Sequence, residues 1–318
     1  MMVAVLSLKG SPGVTTFCVA LAARWPGTAR RVLLEADPAG GDLAVRFSLD
    51  ASPGLLSLAA DARGAGPEVI GRHVQLLPGG IPVVAAPPDA ELARGALAAL
   101  VASTDPDADR RQGGGAGGVV RGVADLPDTV VIVDCGRVDP GSPAMPLVRA
   151  ADVMLVLTRA GAGDLAHLVR RLEQIGHWSP HPVLLLVGKG HSGAAVTREL
   201  GVTPLGRVPE DVRGAAVLSG QRAVVRWVRA GPSRSLLGQF AQEIAARLAD
   251  PHPQPPPAAQ GRLRRAWRRA GPSPTGPADG RPEPGTDCHV PDPRNPRSRI
   301  PDVAAAVLPL RGRQGRAS

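Results

Sequence analysis

Leu8-Lys9-Gly10-Ser11-Pro12-Gly13-Val14-Thr15-Thr16 decides how this chain is read. It follows an apolar run, Val3 to Leu8, with the composition of a buried strand. It precedes Phe17 to Trp25, a stretch without breakers that predicts a helix. A glycine-rich turn between a strand and a helix start presents free backbone N–H groups at the positive end of the helix dipole, where phosphate oxygens are favoured. The general phosphate loop closes with Gly-Lys-Ser/Thr. Here the closing residues are Gly13-Val14-Thr15, so the glycine and the hydroxyl are present and the lysine between them is replaced.

Working outward, Val32-Leu33-Leu34-Glu35-Ala36-Asp37 reads as a second buried strand ending in a carboxylate, followed by a Gly/Pro turn from Pro38 to Asp42. A short helix is expected from Pro53 to Leu58 and a third strand from Ile81 to Ala86. Asp89 to Ala102 has helical spacing, with Leu92, Leu97 and Leu100 expected on one face. Thr129-Val130-Val131-Ile132-Val133-Asp134 is the strongest strand, apolar throughout and again ending in Asp. Further strands are expected at Val153–Thr158, Pro182–Val187 and Thr203–Val208, with helices at Asp164–Ile175, Ala194–Leu200 and Ser233–Leu248. The last helix is expected to bury Leu236, Leu237, Phe240, Ile244 and Leu248. Continuous apolar strands alternating with helices predict an α/β fold, a doubly wound and mostly parallel sheet with helices on both faces.

Composition sets the boundaries. Hydrophobic residues make up 43% of the 318, aromatics only 2% and tyrosine none, so the core must be built from Ala, Val and Leu. Lysine occurs only at Lys9 and Lys189; with so much Ala, Gly and Pro, this is the signature of coding bias, and arginine usage carries little functional information. The net charge is +9, and residues 251–318 hold twelve arginines against five acids, so the basic character belongs to the tail. Pro251 to Pro257 contains five prolines. The expected organisation is therefore one domain over 1–249, interrupted by a flexible Gly-rich insertion at 103–118, and a disordered Pro/Arg-rich basic tail over 250–318. Cys18, Cys135 and Cys288 are too few and too scattered for a disulfide framework or a zinc site, and the first two read as small core residues. No basic segment precedes the first apolar run, and no apolar run approaches the ~20 residues of a membrane span, so a cytoplasmic protein is expected.

The opening stretch resembles the deviant phosphate loop of the MinD/ParA family of P-loop ATPases, Lys-Gly-Gly-x-Gly-Lys-Thr/Ser-Thr/Ser. Lys9 falls on the signature lysine, Gly10 on the first glycine, Ser11 replaces the second, Pro12 is the variable position and Gly13 matches. Val14 replaces the loop lysine, Thr15 falls on the magnesium-binding hydroxyl and Thr16 matches. The resemblance covers roughly 1–248 and implies a nucleotide site for ATP and Mg²⁺. Lys9 to Thr16 would wrap the phosphates, Thr15 and Asp134 would hold the metal, and Asp37 would orient the attacking water as a catalytic residue. Lys9 would be the second catalytic residue, reaching across a homodimer to the partner's phosphates. Leu205-Gly206-Arg207-Val208-Pro209-Glu210-Asp211 resembles the segment that lies beside the base, which makes Pro209 a nucleotide contact. Gly188-Lys189-Gly190 stands where the family usually has an adenine-binding Asn. The segment from Asp134 to Pro146 falls on the loop that senses the γ-phosphate.

Losing one member of a buried charge pair costs about 2–5 kcal/mol, roughly 30- to 3,000-fold in affinity. The expectation is weak nucleotide binding coupled to dimerisation, with slow or absent turnover. The resemblance implies an ATP-gated dimeric positioning factor serving a protein partner in chromosome partitioning, division or a secretion/pilus apparatus. The chain also resembles the CpaE/TadZ branch, which tolerates eroded phosphate loops too, and that resemblance favours the secretion version. Two alternatives stand beside it: a pseudo-ATPase scaffold that binds no nucleotide, and a slow ATPase in which Lys9 replaces the missing lysine. Within the tail, Gly261 to Ala270 would align Leu263, Ala266, Trp267 and Ala270 against a ring of Arg. That pattern fits a disordered basic tail, a short helix on an anionic membrane surface, or non-specific contact with DNA at the nucleoid.

Overall fold

The computed structural model describes residues 1–10, 12–102, 118–220 and 232–250. The expectations for Ser11, the Gly-rich insertion up to 117, Cys288 and the basic tail lie outside them. Eight strands are described: β1 (Met2–Ser7), β2 (Arg30–Glu35), β3 (Gln75–Leu77), β4 (Ile81–Val84), β5 (Thr129–Arg137), β6 (Val153–Arg159), β7 (Pro182–Val187) and β8 (Gly206–Val208). They form one sheet in the order β3-β4-β2-β5-β1-β6-β7-β8. Every described pair is parallel except β3 with β4. β3 was not legible in the sequence: it has three residues and joins β4 through the Gly79-Gly80 turn, too short to show a period.

The β1 strand lies between β5 and β6, with every residue buried. Its alternate side chains feed two separate cores. Met2, Ala4 and Leu6 face one layer; Val3 and Val5 face the other. This two-sided burial is why the strands read as continuous apolar runs. On the Val3/Val5 side lie α1 (Val14–Arg24) and the last described helix, Leu236–Ala249; Phe17 and Phe240 meet there at 6.2 Å between ring centres. The opposite side is covered by α3 (Leu55–Asp61), α4 (Ala90–Ala102), α5 (Gly118–Ala124), α6 (Met145–Ala150) and α7 (Ala162–Ile175). Three further helices complete the described set: α2 (Leu43–Phe47), α8 (Gly193–Leu200) and α9 (Val212–Leu218); the terminal one is α10.

Two sequence expectations about faces fail. Leu92 is 51% exposed while Leu97 and Leu100 are buried in α4, because five residues turn a helix through more than a full revolution and place Leu92 on the far side. Leu236 is 61% exposed at the first position of α10; the buried stripe runs through Leu237, Ala241, Ile244 and Ala245. Small alanines do the packing there, consistent with a core poor in aromatics. Cys18 and Cys135 are buried free thiols, as expected of small core residues. Helices α2, α5, α6 and α9 were not predicted; at five to seven residues each they are held by packing rather than by their own propensity.

Candidate functional site

The carboxyl ends of β1, β2 and β5 converge, and a cavity of about 660 Å³ opens over them. Its floor is the turn from β1 into α1. Gly13 is the residue capping α1, with a left-handed backbone at φ 91°, and no side chain caps the helix. The first-turn N–H groups therefore have no capping side chain, the arrangement that favours an anion. A Cβ on Gly13 would meet nothing within 4 Å among the described residues, so the turn is open at that point. Gly10, Gly13, Val14, Thr15 and Thr16 all line the cavity. Ser7, at the end of β1, sits 3.5 Å from the Gly10 carbonyl and 3.4 Å from that of Gly136, tying the turn to β5.

Val14 is buried and packs with the apolar layer beneath the sheet, among Phe17, Cys18 and their neighbours. An isopropyl group at this position brings no donor to the cavity. Lys9 is exposed and does not line the cavity; its Nζ lies 3.0 Å from His167 Nε2 on α7.

Asp134 is the sixth of the nine residues of β5, which runs on to Arg137, and is fully buried. Its Oδ1 accepts the Gly136 N–H at 3.1 Å, whereas Oδ2 has no hydrogen-bond partner among the described residues. Burial pushes this carboxyl up to about 6, with Asp37 adding to the rise, against the Thr15 hydroxyl and the Gly136 N–H, which hydrogen-bond to the carboxylate, and the more distant Arg46. A buried carboxylate oxygen left without a donor, beside a threonine hydroxyl, is a set of hard oxygen donors suited to a magnesium ion. The residues therefore fit the ion that the sequence reading assigned to Thr15 and Asp134.

Asp37 lies two residues beyond β2, half-buried, with Oδ1 accepting the Ala39 N–H at 2.8 Å. Burial raises its carboxyl, and Arg137 opposes the rise. Its place depends on Gly136, whose backbone is left-handed at φ 57°; a Cβ there would stand 1.9 Å from Asp37 Oδ2. Glu35 anchors the turn that carries Asp37. It is 1% exposed, and its two oxygens accept the N–H groups of Asp42 (2.7 Å), Leu43 (3.0 Å) and Ala86 (3.0 Å). Burial, with Asp134 nearby on the paired strand, pushes Glu35 up to about 8.

The helix-α1 turn and the Asp37 carboxylate thus share one cavity at strand ends, with the Asp134 carboxylate buried beneath it. The fold is that of the ParA/MinD ATPases. A ParA family ATPase from Chlorobium tepidum TLS superposes with a TM-score of 0.58 at 12% identity, over 77% of this chain and 98% of that one. The septum site-determining protein MinD of Pyrococcus horikoshii OT3, complexed with Mg-ADP, gives 0.54 at 16% identity over 78% and 96%. The MinC:MinD cell division complex of Aquifex aeolicus gives 0.51 at 13% identity over 78% and 94%. No protein-family model and no curated protein matches the sequence.

Within this ParA/MinD fold the predicted residues divide. Gly10, Gly13, Val14, Thr15, Thr16 and Asp37 line one cavity, with Asp134 buried beneath it. Pro12 is buried and, like Lys9, is not among the lining residues. Pro209 lines a separate cavity of about 590 Å³ with Gly188, Lys189, Gly190 and Glu210. There the Lys189 and Gly188 backbones face Glu210, whose Oε1 accepts the Lys189 N–H at 3.2 Å. The sequence reading missed three cationic residues on the main cavity: Arg46 on α2, Arg94 on α4 and Arg137 at the end of β5. Each is one arginine among many, and only the folded chain brings them together.

Proposed function

We propose that this chain is a MinD/ParA-like nucleotide-binding protein whose domain spans 1–249, acting as an ATP-gated dimeric positioning factor for a partitioning, division or secretion/pilus system. The observation that carries this reading is the uncapped helix start that lines the cavity with Thr15 and Asp37, above the buried Asp134 whose Oδ2 has no hydrogen-bond partner among the described residues. Thr15 and Asp134 would hold Mg²⁺, and the N–H groups at the head of α1 would hold phosphate oxygens. A bound Mg-ATP would supply the phosphoanhydride bond and the charge that links two copies. Asp37, fixed by Ala39 and Gly136, would orient water on the phosphate side of the site. Lys9 is exposed, as a residue that contacts a partner copy must be. The solved Mg-ADP complex and the MinC:MinD assembly of the same fold support a nucleotide and a protein partner here as well.

Val14 favours a second reading, a scaffold without nucleotide. Its side chain belongs to the core, and the three lining arginines, Arg46, Arg94 and Arg137, are balanced in number by three lining carboxylates, Asp37, Asp42 and Asp139, of which Asp42 pairs with Arg46. Melting of the wild type and of Val14→Lys, with and without millimolar Mg-ATP, separates the two. A bound ligand raises apparent stability by RT ln(1 + [L]/Kd), about 2.7 kcal/mol at a hundredfold excess over Kd. A rise in both proteins, larger for Val14→Lys and accompanied by an ATP-dependent increase in mass, supports the gated dimer. No rise in either supports the scaffold.

A further inference from the structure

The cavity is lined by an arginine that reaches the head of α1 from a different element. Arg46 sits on α2, the first helix after β2, and lines the cavity. Its Nη1 lies 3.5 Å from Thr16 Oγ1 at the head of α1, and its Nη2 pairs with Asp42 one turn earlier. A guanidinium has five N–H donors in a fixed fork, so the contacts to Thr16 and Asp42 leave donors for a further anion. The side chain is about one-third exposed, open to a ligand from the cavity and still held on two sides. Arg94 is committed to the Pro38 carbonyl at 3.3 Å, and Arg137 follows Gly136 on an exposed position; of the three lining arginines, Arg46 is the one in contact with the helix head.

We infer that Arg46 supplies the phosphate-binding cation that position 14 lacks, gripping the polyphosphate across the head of α1 from the α2 side. This rests on the nucleotide reading above and adds to it a residue assignment. Arginine suits the task because its planar fork matches phosphate oxygens in pairs and never deprotonates. The α2 helix is positioned for it by Glu35, which holds the N–H groups of Asp42 and Leu43 at the helix start.

The test is equilibrium binding of Mg-ATP to the full chain in five forms: wild type, Arg46→Ala, Arg46→Lys, Val14→Lys and Val14→Lys/Arg46→Ala. Arg46→Ala is expected to weaken binding about 30-fold, the lower end of what removing one partner of a charge pair does. Arg46→Lys should fall between, because it keeps the charge and loses the fork. In the Val14→Lys background the loop again has its own ammonium group, and Arg46→Ala should cost less than about 3-fold. Equal affinity for wild type and Arg46→Ala overturns the assignment and leaves the nucleotide reading standing. Binding by Val14→Lys alone, with the wild type silent, also overturns it, since Arg46 then compensates for nothing. Silence in all five forms removes both readings. Arg46 lies on a short exposed helix, and circular dichroism of each form confirms that the comparison is between folded proteins.

Discussion

Gly136 is the position where the smallest perturbation tests the most of the site. Gly136→Ala does two things. It places a side chain on a left-handed backbone at φ 57°, which costs about 1–2 kcal/mol. It also expels the Asp37 carboxylate, because the new Cβ would stand 1.9 Å from Oδ2 and 2.0 Å from Cγ, and a rotation of the outer oxygens cannot relieve contact with Cγ. Expulsion breaks the 2.8 Å bond from the Ala39 N–H, worth about 0.5–1.5 kcal/mol. The total is about 1.5–3.5 kcal/mol, or about 3–14 °C in melting temperature for a folded body of this size. Gly27→Ala is the control: its backbone is also left-handed, at φ 71°, but a Cβ there meets nothing within 4 Å, so only the first cost applies. A double-mutant cycle isolates the second cost. In an Asp37→Ala background the obstruction is gone, and Gly136→Ala should be milder by about 0.5–1.5 kcal/mol. Urea denaturation of the four proteins measures this directly, and phosphate release from Mg-ATP by Gly136→Ala should match that of Asp37→Ala. An additive cycle, or a Gly136→Ala no costlier than Gly27→Ala, would show that Gly136 does not hold Asp37 in place.

Other outcomes follow from the same geometry. Glu35→Gln turns an amide nitrogen toward one of three backbone N–H groups that need an acceptor, and chemical denaturation at neutral pH should show a loss of about 1–3 kcal/mol; no loss would mean the turn from Pro38 to Leu43 is held by other contacts. Both buried carboxyls have folded values above their ordinary ones, Asp134 about 6 against 3.8 and Glu35 about 8 against 4.5. The native state therefore holds these protons more tightly, and in magnesium-free buffer their stabilising contribution is complete below pH about 4 and is lost as pH rises through about 6 and then about 8. Denaturation series from pH 4 to 9 should show that decline, and its lower step should be absent in Asp134→Asn. Asp134→Asn should also abolish any melting rise with Mg-ATP while leaving the apo protein folded; a preserved rise would exclude Asp134 as the metal ligand. Lys9→Ala should alter apo stability by less than about 0.5 kcal/mol, since Lys9 is exposed, yet remove the dependence of nucleotide affinity on protein concentration, as followed by binding titrations at two protein concentrations.

The sequence by itself determined the sheet and the location of its working edge. Val3 to Leu6, Val32 to Leu34 and Val130 to Val133 are apolar without interruption because strands covered on both faces need no polar side, and the candidate site residues follow where each apolar run stops. That is why Gly13, Thr15, Asp37 and Asp134 were legible as a set before any contact was known. Short elements were not legible. β3 and α2 are too brief for a period, and Leu92 and Leu236 were placed on the wrong faces because leucine in a helix does not announce its direction. Tertiary structure alone decided the electrostatics. Arg46 is thirty residues from Thr16 in a chain whose arginine usage is set by composition, and nothing local distinguishes it from the rest. Burial likewise separates Glu35 from Asp37: two carboxylates two residues apart, one locked onto three backbone N–H groups and one held at the cavity wall by a glycine from the neighbouring strand. The charge balance of a pocket is a sum over residues that the fold alone brings within reach of one another, whereas strand burial is written along the chain one residue at a time.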